Sequence, residues 1–231
     1  ALKAAFPHTI PVLSGYVCMG MAFGVLLRSK GYGPPWALAM SFIIYAGALQ
    51  FIGVGLLAGG FEPFQTALLT LMVNARHIFY GLCLLEEFRA LRKTKLYMIF
   101  ALTDETFSLL CSARPPAGVE KRRFRLCIAA LDHLYWIAGS VLGNLAGTVL
   151  PFNPRGMDFV MPALFIVIFL QQWQTRSGRG PALLGIAASL VCLFFFGPRW
   201  FIVPAMALIP AALTAVWLRE KKLQVSPEKK T

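Results

Sequence analysis

"LYMIFALTDETFSLLCS", residues 96–112, decides how this chain is threaded. The stretch is apolar at both ends and carries Thr103, Asp104, Glu105 and Thr106 in its middle. Basic clusters flank it, with Arg89, Arg92, Lys93 and Lys95 before it and Arg114, Lys121, Arg122, Arg123 and Arg125 after it. Cytoplasmic loops of membrane proteins collect lysine and arginine. If the stretch crosses a bilayer, the two clusters fall on opposite faces; if it enters and leaves on one side, they share a face. Its 17 residues fall just short of the about 20 a helix needs to span the hydrocarbon.

Seven further apolar runs surround it, at about 9–27, 35–58, 63–85, 126–150, 157–173, 181–197 and 200–218. The chain is 58% hydrophobic and 14% charged, with a mean hydropathy of +0.66. A soluble domain carries about a quarter charged residues, so these runs are read as membrane helices. With residues 96–112 returning to their own side and the N-terminus outside, 18 of the 22 lysines and arginines lie inside. Three (Lys3, Arg155, Arg199) lie outside, and Arg76 remains within the membrane. The sequence therefore predicts an all-α polytopic membrane protein of about seven transmembrane helices plus one re-entrant or tilted segment. Its N-terminus is expected to be periplasmic and its C-terminus, with the basic tail 219–231, cytoplasmic. The net charge of +12 then belongs to cytoplasmic loops, and nucleic acid is not expected as a partner. The five cysteines sit in or beside apolar runs without ligand spacing, so neither a disulfide framework nor a metal site is expected.

Residues 20–50 laid over 143–173 align Gly20 with Gly143, Gly24 with Gly147, Gly33 with Gly156, and Phe42-Ile43 with Phe165-Ile166. Under the topology above, the first and fifth segments run in opposite directions. The expectation is one transmembrane domain, 1–231, built as an inverted repeat of halves 6–112 and 126–218, with glycine-interrupted helices presenting substrate sites near the midplane. Close helix packing is the competing use of glycines four residues apart.

An ionisable side chain inside hydrocarbon must face the protein interior and find partners. In "TLMVNARHIFYG", residues 70–81, Asn74, His77 and Gly81 share one helix face and Arg76 and Tyr80 the adjoining one, leaving Leu71, Ala75 and Phe79 for lipid. Arg76 is suited to holding a carboxylate and His77 to carrying a proton near neutral pH. Asp104 and Glu105 supply counter-charges, and two neighbouring carboxylates in a poorly solvated place are costly to keep ionised unless a cation offsets them. Arg76, His77, Asp104 and Glu105 are therefore the expected coupling and proton-relay residues. Gly20, Gly24, Gln50, Asn74 and Asn144 are the expected substrate-binding residues. Asp132 and His133, near the basic start of their segment, are expected to cap it or sit at the interface.

The motifs "GYVCMGMAFG", "SFIIYAGALQF", "NARHIFYG", "FALTDETF" and "WIAGSVLGNLAG" together resemble the AzlC family of branched-chain amino acid permeases, over roughly residues 6–218. The resemblance implies export of small hydrophobic amino acids such as valine, leucine or isoleucine across the bacterial inner membrane. It also implies a small AzlD-like membrane subunit. No catalytic residue or cofactor is expected: the three histidines are scattered and there is no GxSxG or HExxH. A membrane-embedded hydrolase and a non-transporting scaffold or channel subunit are the alternatives.

Overall fold

The structure, a computed structural model, describes residues 1–59, 63–89, 91, 93–149 and 176–225, with a few isolated positions between 163 and 174. The described residues are helical and contain no strand. They divide into two units, residues 1–161 and 162–231. The segment expected at 157–173 lies largely outside the described residues.

The first unit is framed by α1 (Leu2–Ser29) and α8 (Lys121–Val149). At 1.5 Å per residue each is about 42 Å long, enough to cross a bilayer. The two touch backbone to backbone. A Cβ on Gly20 would lie 2.9 Å from the Ser140 nitrogen, and one on Gly139 would lie 2.8 Å from the Tyr16 carbonyl oxygen. Gly24 and Gly143 are packed as tightly, against the backbones of Ser140–Asn144 and Met21 respectively. These glycines do not interrupt their helices, which are continuous, and Pro7 and Pro11 lie inside α1 without ending it. The expected glycine breaks are thus corrected: small residues at helical spacing serve close helix contact.

The register fixes a second correction. Ala5 clusters with Phe124 and Ile128, Val17 meets Gly139, Met21 meets Gly143, and Arg28 meets Gly147. Residue numbers rise together, so α1 and α8 run parallel, where opposite directions were expected. The start of α1 consequently lies at the same end of the unit as the basic start of α8.

The chain breaks elsewhere. Residues 35–58, expected as one crossing, form α2 (Pro34–Ile43) and α3 (Gly47–Gly59). These helices fold back on each other: Gln50 donates to the Ser41 hydroxyl at 3.3 Å, and Tyr32 donates to the Leu57 carbonyl at 3.3 Å. α2 descends along α8 from Asn144, which donates to the Tyr32 carbonyl at 3.0 Å, to His133, stacked on Phe42 at 5.8 Å. The pair is a hairpin that enters from the far end of α1 and turns at mid-depth. Pro34 and Pro35 start α2 at the first helical positions, where a missing N–H costs nothing. Tyr45, at the turn, has φ 41°, a conformation that costs a non-glycine residue about 1–3 kcal/mol.

α4 (Pro63–Cys83) and the short α5 (Leu85–Arg89) lead to the opposite end. There Glu87 pairs with Lys121 at 3.0 Å and with Arg125. The stretch that opened the sequence analysis follows as α6 (Lys95–Phe100) and α7 (Asp104–Ser112), of six and nine residues. Phe100 reaches His133 (5.6 Å between ring centroids), and the chain then returns until the Leu110 carbonyl accepts from Arg125 at 3.1 Å. Arg125 thus touches both flanks of the stretch, which enters and leaves at one end. Thr103 ends the turn by capping α7, its hydroxyl accepting from the Thr106 amide at 3.3 Å.

In the second unit, α9 (Arg176–Trp200) and α10 (Ile202–Val225) are consecutive helices. Gly197, at φ 68°, kinks α9 near its end. Among the described residues, three helical stretches are long and apolar enough to cross a membrane: Leu2–Ser29, Lys121–Val149 and Arg179–Gly197.

Gly24→Leu drives a side chain into the α8 backbone, and overpacking of this kind costs about 1–3 kcal/mol or more. Thermal unfolding of the purified protein in detergent is expected to show a drop of several degrees. Gly15→Ala, with nothing within 4 Å of a new Cβ, shifts stability by less than about 1 kcal/mol.

Candidate functional site

The two hairpin turns, Ile44–Ala46 and Ala101–Thr103, come from opposite ends and meet beside the middle of α8. The Tyr45 and Phe100 rings lie 6.0 Å apart, and both pack on His133, the Tyr45 ring at 4.2 Å. Backbone that leaves helical geometry at membrane depth is tolerated only where protein or a polar cavity surrounds it. Here α1, α4 and α8 surround it, and they bring polar side chains.

Arg76 and Asp104 form an ion pair at 2.6 Å between α4 and the first turn of α7. One turn further along α4, Tyr80 stacks on Phe107 at 4.5 Å, so the Arg76/Tyr80 face read from the sequence is the face that meets α7. Leu71, Ile78, Phe79 and Leu82 point outward and are exposed. His77 contacts the Asn74 carbonyl of its own helix at 3.2 Å and the edge of Tyr80. The Asn74 side-chain oxygen is buried without a partner. Asp104 and Glu105 also sit in the first turn of α7, where the helix dipole favours negative charge.

Behind this pair runs a chain of buried oxygens. Tyr16 donates to Glu105 at 2.8 Å and lies 2.6 Å from the Thr103 hydroxyl. Thr103 contacts Thr106 at 3.1 Å, and Thr106 donates to Asp132 Oδ2 at 2.9 Å. Asp132 Oδ1 and the Tyr45 hydroxyl have no hydrogen-bond partner, though both residues are buried, at 0% and 3% exposure. Among the described residues the ion pairs give Asp104 a cation and give none to Glu105 or Asp132.

The expected residues thus separate. Arg76, Asp104 and Glu105 converge at the α6–α7 turn, with Asn74 and His77 one turn away on α4. Gln50 is wholly buried and already engaged: it accepts from the Trp136 indole at 2.7 Å and donates to Ser41, pinning the α2–α3 turn to α8. Asn144 donates to the carbonyls of Gly24 and Tyr32 at 3.1 and 3.0 Å, tying α1 and the entry to α2. Where Gly20 and Gly24 were expected to touch substrate, the α8 backbone fills the space, so their role is packing.

Asp132 and His133 were expected at an interface and are buried instead. Asp132 lies seven residues past Arg125, two full turns into the helix. That count was the available signal that it lay too deep for a cap. Tyr16, Tyr45 and Thr106 carried no signal, because hydroxyls inside apolar runs usually satisfy themselves locally.

The AzlC protein family model matches residues 11–150. The branched-chain amino acid transport protein AzlC of Bacillus subtilis is 43% identical over 226 residues, covering 98% of this chain and 89% of that protein. An uncharacterized membrane protein of Helicobacter pylori is 44% identical over 92% of this chain and 93% of its own length. The inner membrane protein YgaZ of Escherichia coli is 30% identical over 79% of this chain and 76% of its own length. No solved structure matches the chain significantly. A family model matching residues 11–150 and likeness along nearly the whole length carry one conclusion: this chain belongs to the AzlC family.

Proposed function

We propose that the chain is the larger subunit of a secondary transporter that moves branched-chain or other hydrophobic amino acids outward across the bacterial inner membrane, coupled to protons. The observation that carries this is the meeting of two broken helices at mid-depth among buried polar groups, the arrangement secondary transporters use for substrate and coupling-ion sites. The Bacillus subtilis relative, named for branched-chain amino acid transport, supports the substrate class. The first turn of α3 carries no acidic side chain, so its free amides suit a substrate carboxylate. Asn74, with its unpartnered side-chain oxygen, is a polar contact on the facing helix. Arg76, His77, Asp104 and Glu105 form the coupling group, and within it the Arg76–Asp104 pair locks α4 to the α6–α7 turn.

The parallel run of α1 and α8 does not fit the inverted repeat expected between 6–112 and 126–218; in this reading its two arms are instead α1 with the α2–α3 hairpin and α4 with the α6–α7 hairpin. The start of α1 shares its end of the unit with Arg89, Lys93, Lys95, Arg114, Lys121, Arg122, Arg123 and Arg125, against Arg28 and Lys30 at the other. We read the basic end as cytoplasmic, which moves the N-terminus there from the periplasmic side expected from the sequence. A small AzlD-like membrane subunit completes the transporter.

Purified chain with its small subunit in proteoliposomes is expected to show saturable counterflow of labelled valine, leucine or isoleucine. Its absence would favour the scaffold reading. Arg76→Ala leaves Asp104 as a lone charge in a poorly solvated site, and proton-driven flux is expected to fall about tenfold or more, equivalent to at least about 1.4 kcal/mol. Removing both charges, Arg76→Ala with Asp104→Asn, should recover part of it. Single cysteines placed at Lys3 and at Lys93 in a cysteine-free background should react with an impermeant thiol reagent from the cytoplasmic face, and one at Lys30 from the opposite face.

A further inference from the structure

Five side chains on three helices and one turn make a continuous path of oxygens: Glu105, Tyr16, Thr103, Thr106, Asp132. The four contacts are 2.8, 2.6, 3.1 and 2.9 Å long. Three of them fall within 3.0 Å, where a proton must lie between the oxygens because two lone pairs repel, and the fourth, between Thr103 and Thr106 at 3.1 Å, lies at the outer edge of that range. The three hydroxyls carry one proton each, and an ionised carboxylate carries none. Three protons cannot fill four contacts. If Tyr16 gives its proton to Glu105, and Thr103 gives its own to Thr106, the 2.6 Å contact between Tyr16 and Thr103 is left with none. Thr103 has a single proton and can close that contact only by giving up its bond to Thr106, while its second lone pair accepts from the Thr106 amide at 3.3 Å. One added proton, on either carboxyl group, completes the path.

The surroundings call for the same proton. Tyr16, Thr106 and Asp132 are 3%, 0% and 0% exposed. The titratable and charged groups facing Asp132 are Tyr45 from the first turn, Tyr97 from α6, Glu105 from α7 and its neighbour His133 on α8, with Tyr16 from α1 reached through Thr106 and Thr103. None of the described basic side chains pairs with it, and Arg76 is already held by Asp104. Asp132 is fully buried and Glu105 half-buried, neither forms an ion pair among the described residues, and one shared proton removes the cost of keeping both ionised.

We propose that Glu105 and Asp132 hold one proton between them and pass it along Tyr16, Thr103 and Thr106. With the proton on Glu105, each group donates toward Asp132. With it on Asp132, every bond reverses, so that Asp132 donates to Thr106, Thr106 to Thr103, Thr103 to Tyr16 and Tyr16 to Glu105. Four protons each shift across one hydrogen bond, and the net result is one proton moved from one carboxyl group to the other. No oxidant or further reactant enters. The path joins the first turn of α7 to the middle of α8, so a relative movement of these helices opens or closes it. This deepens the proton-coupled reading, and the role of the shared proton in transport rests on that reading.

The test is infrared difference spectroscopy of the full chain in lipid nanodiscs, titrated in pH without any amino acid and repeated in D2O. The wild type is expected to show one deuterium-sensitive protonated-carboxyl band at neutral pH. Asp132→Asn and Glu105→Gln should each abolish it alone, because either amide supplies the missing donor permanently and leaves the opposite acid ionised. The two substitutions lie on different helices, so one serves where the other fails to fold. Thr106→Val should shift the band by separating the two acids, and Thr106→Ser should restore it. A wild type without the band, or a band that survives either Asp132→Asn or Glu105→Gln in folded protein, overturns the shared proton. No transport is measured, so failure of amino acid counterflow in the wild type counts against the proposed function alone.

Discussion

The backbone-to-backbone contact of α1 with α8 sets the terms for everything else in the first unit. Glycine at positions 20, 24, 139 and 143 lets two long helices approach more closely than any side chain would permit. In lipid, where hydrophobic burial contributes little to helix association, such close van der Waals contact is a principal source of cohesion. The contact also fixes a parallel register, and that register puts Tyr16 beside Gly139 and within reach of the α7 turn. Without it, Tyr16 and Asp132 would not be joined through Thr103 and Thr106.

On this frame the two hairpins solve opposite halves of one problem. A helix break inside a membrane strips backbone groups of their partners, and each must be satisfied locally. At the α6–α7 turn the Thr103 hydroxyl caps the new helix, while Asp104 and Glu105 complement its positive end. At the α2–α3 turn the solution is steric and side-chain based: Gln50 clamps Ser41 and Trp136, and Gly47 leaves room for the Trp136 ring, which a Cβ there would approach to 3.1 Å. The first solution places charge at mid-depth, whereas the second places only neutral polar groups. The division of labour proposed above, coupling at one turn and substrate carboxylate at the other, follows from that difference.

Asp104 and Asp132 show how much position matters for the same side chain. Asp104 meets a guanidinium and remains a quarter exposed. Asp132 is fully buried, with one oxygen on Thr106 and the other free. Among the described residues no cation pairs with it, and in the proposal above the hydroxyl path to Glu105 shares the burden. An ion pair fastens α4 to α7, while a path short of one proton has two arrangements of equal connectivity and is suited to switching.

The sequence by itself determined the all-helical membrane character, because apolar runs of spanning length recur whatever the tertiary arrangement. It also favoured residues 96–112 turning back, since basic residues flank both sides and the stretch falls just short of spanning length. The convergence of Arg76 with Asp104 was legible too, because a lone cation and a lone acid pair have few other partners in such a chain. Only the tertiary structure decided the direction of α8, the break inside residues 35–58 and the depth of Asp132. Each has a physical reason. Hydropathy carries no sense of direction, so a parallel and an antiparallel helix pair read alike. A hairpin of two half-length helices has the same apolar length as one crossing, and the turn at Tyr45 is paid for by contacts with His133 and Phe100 that are distant in sequence. The partners that make Asp132 a buried acid and not an interfacial one come from α1 and α7, and no local pattern in α8 announces them.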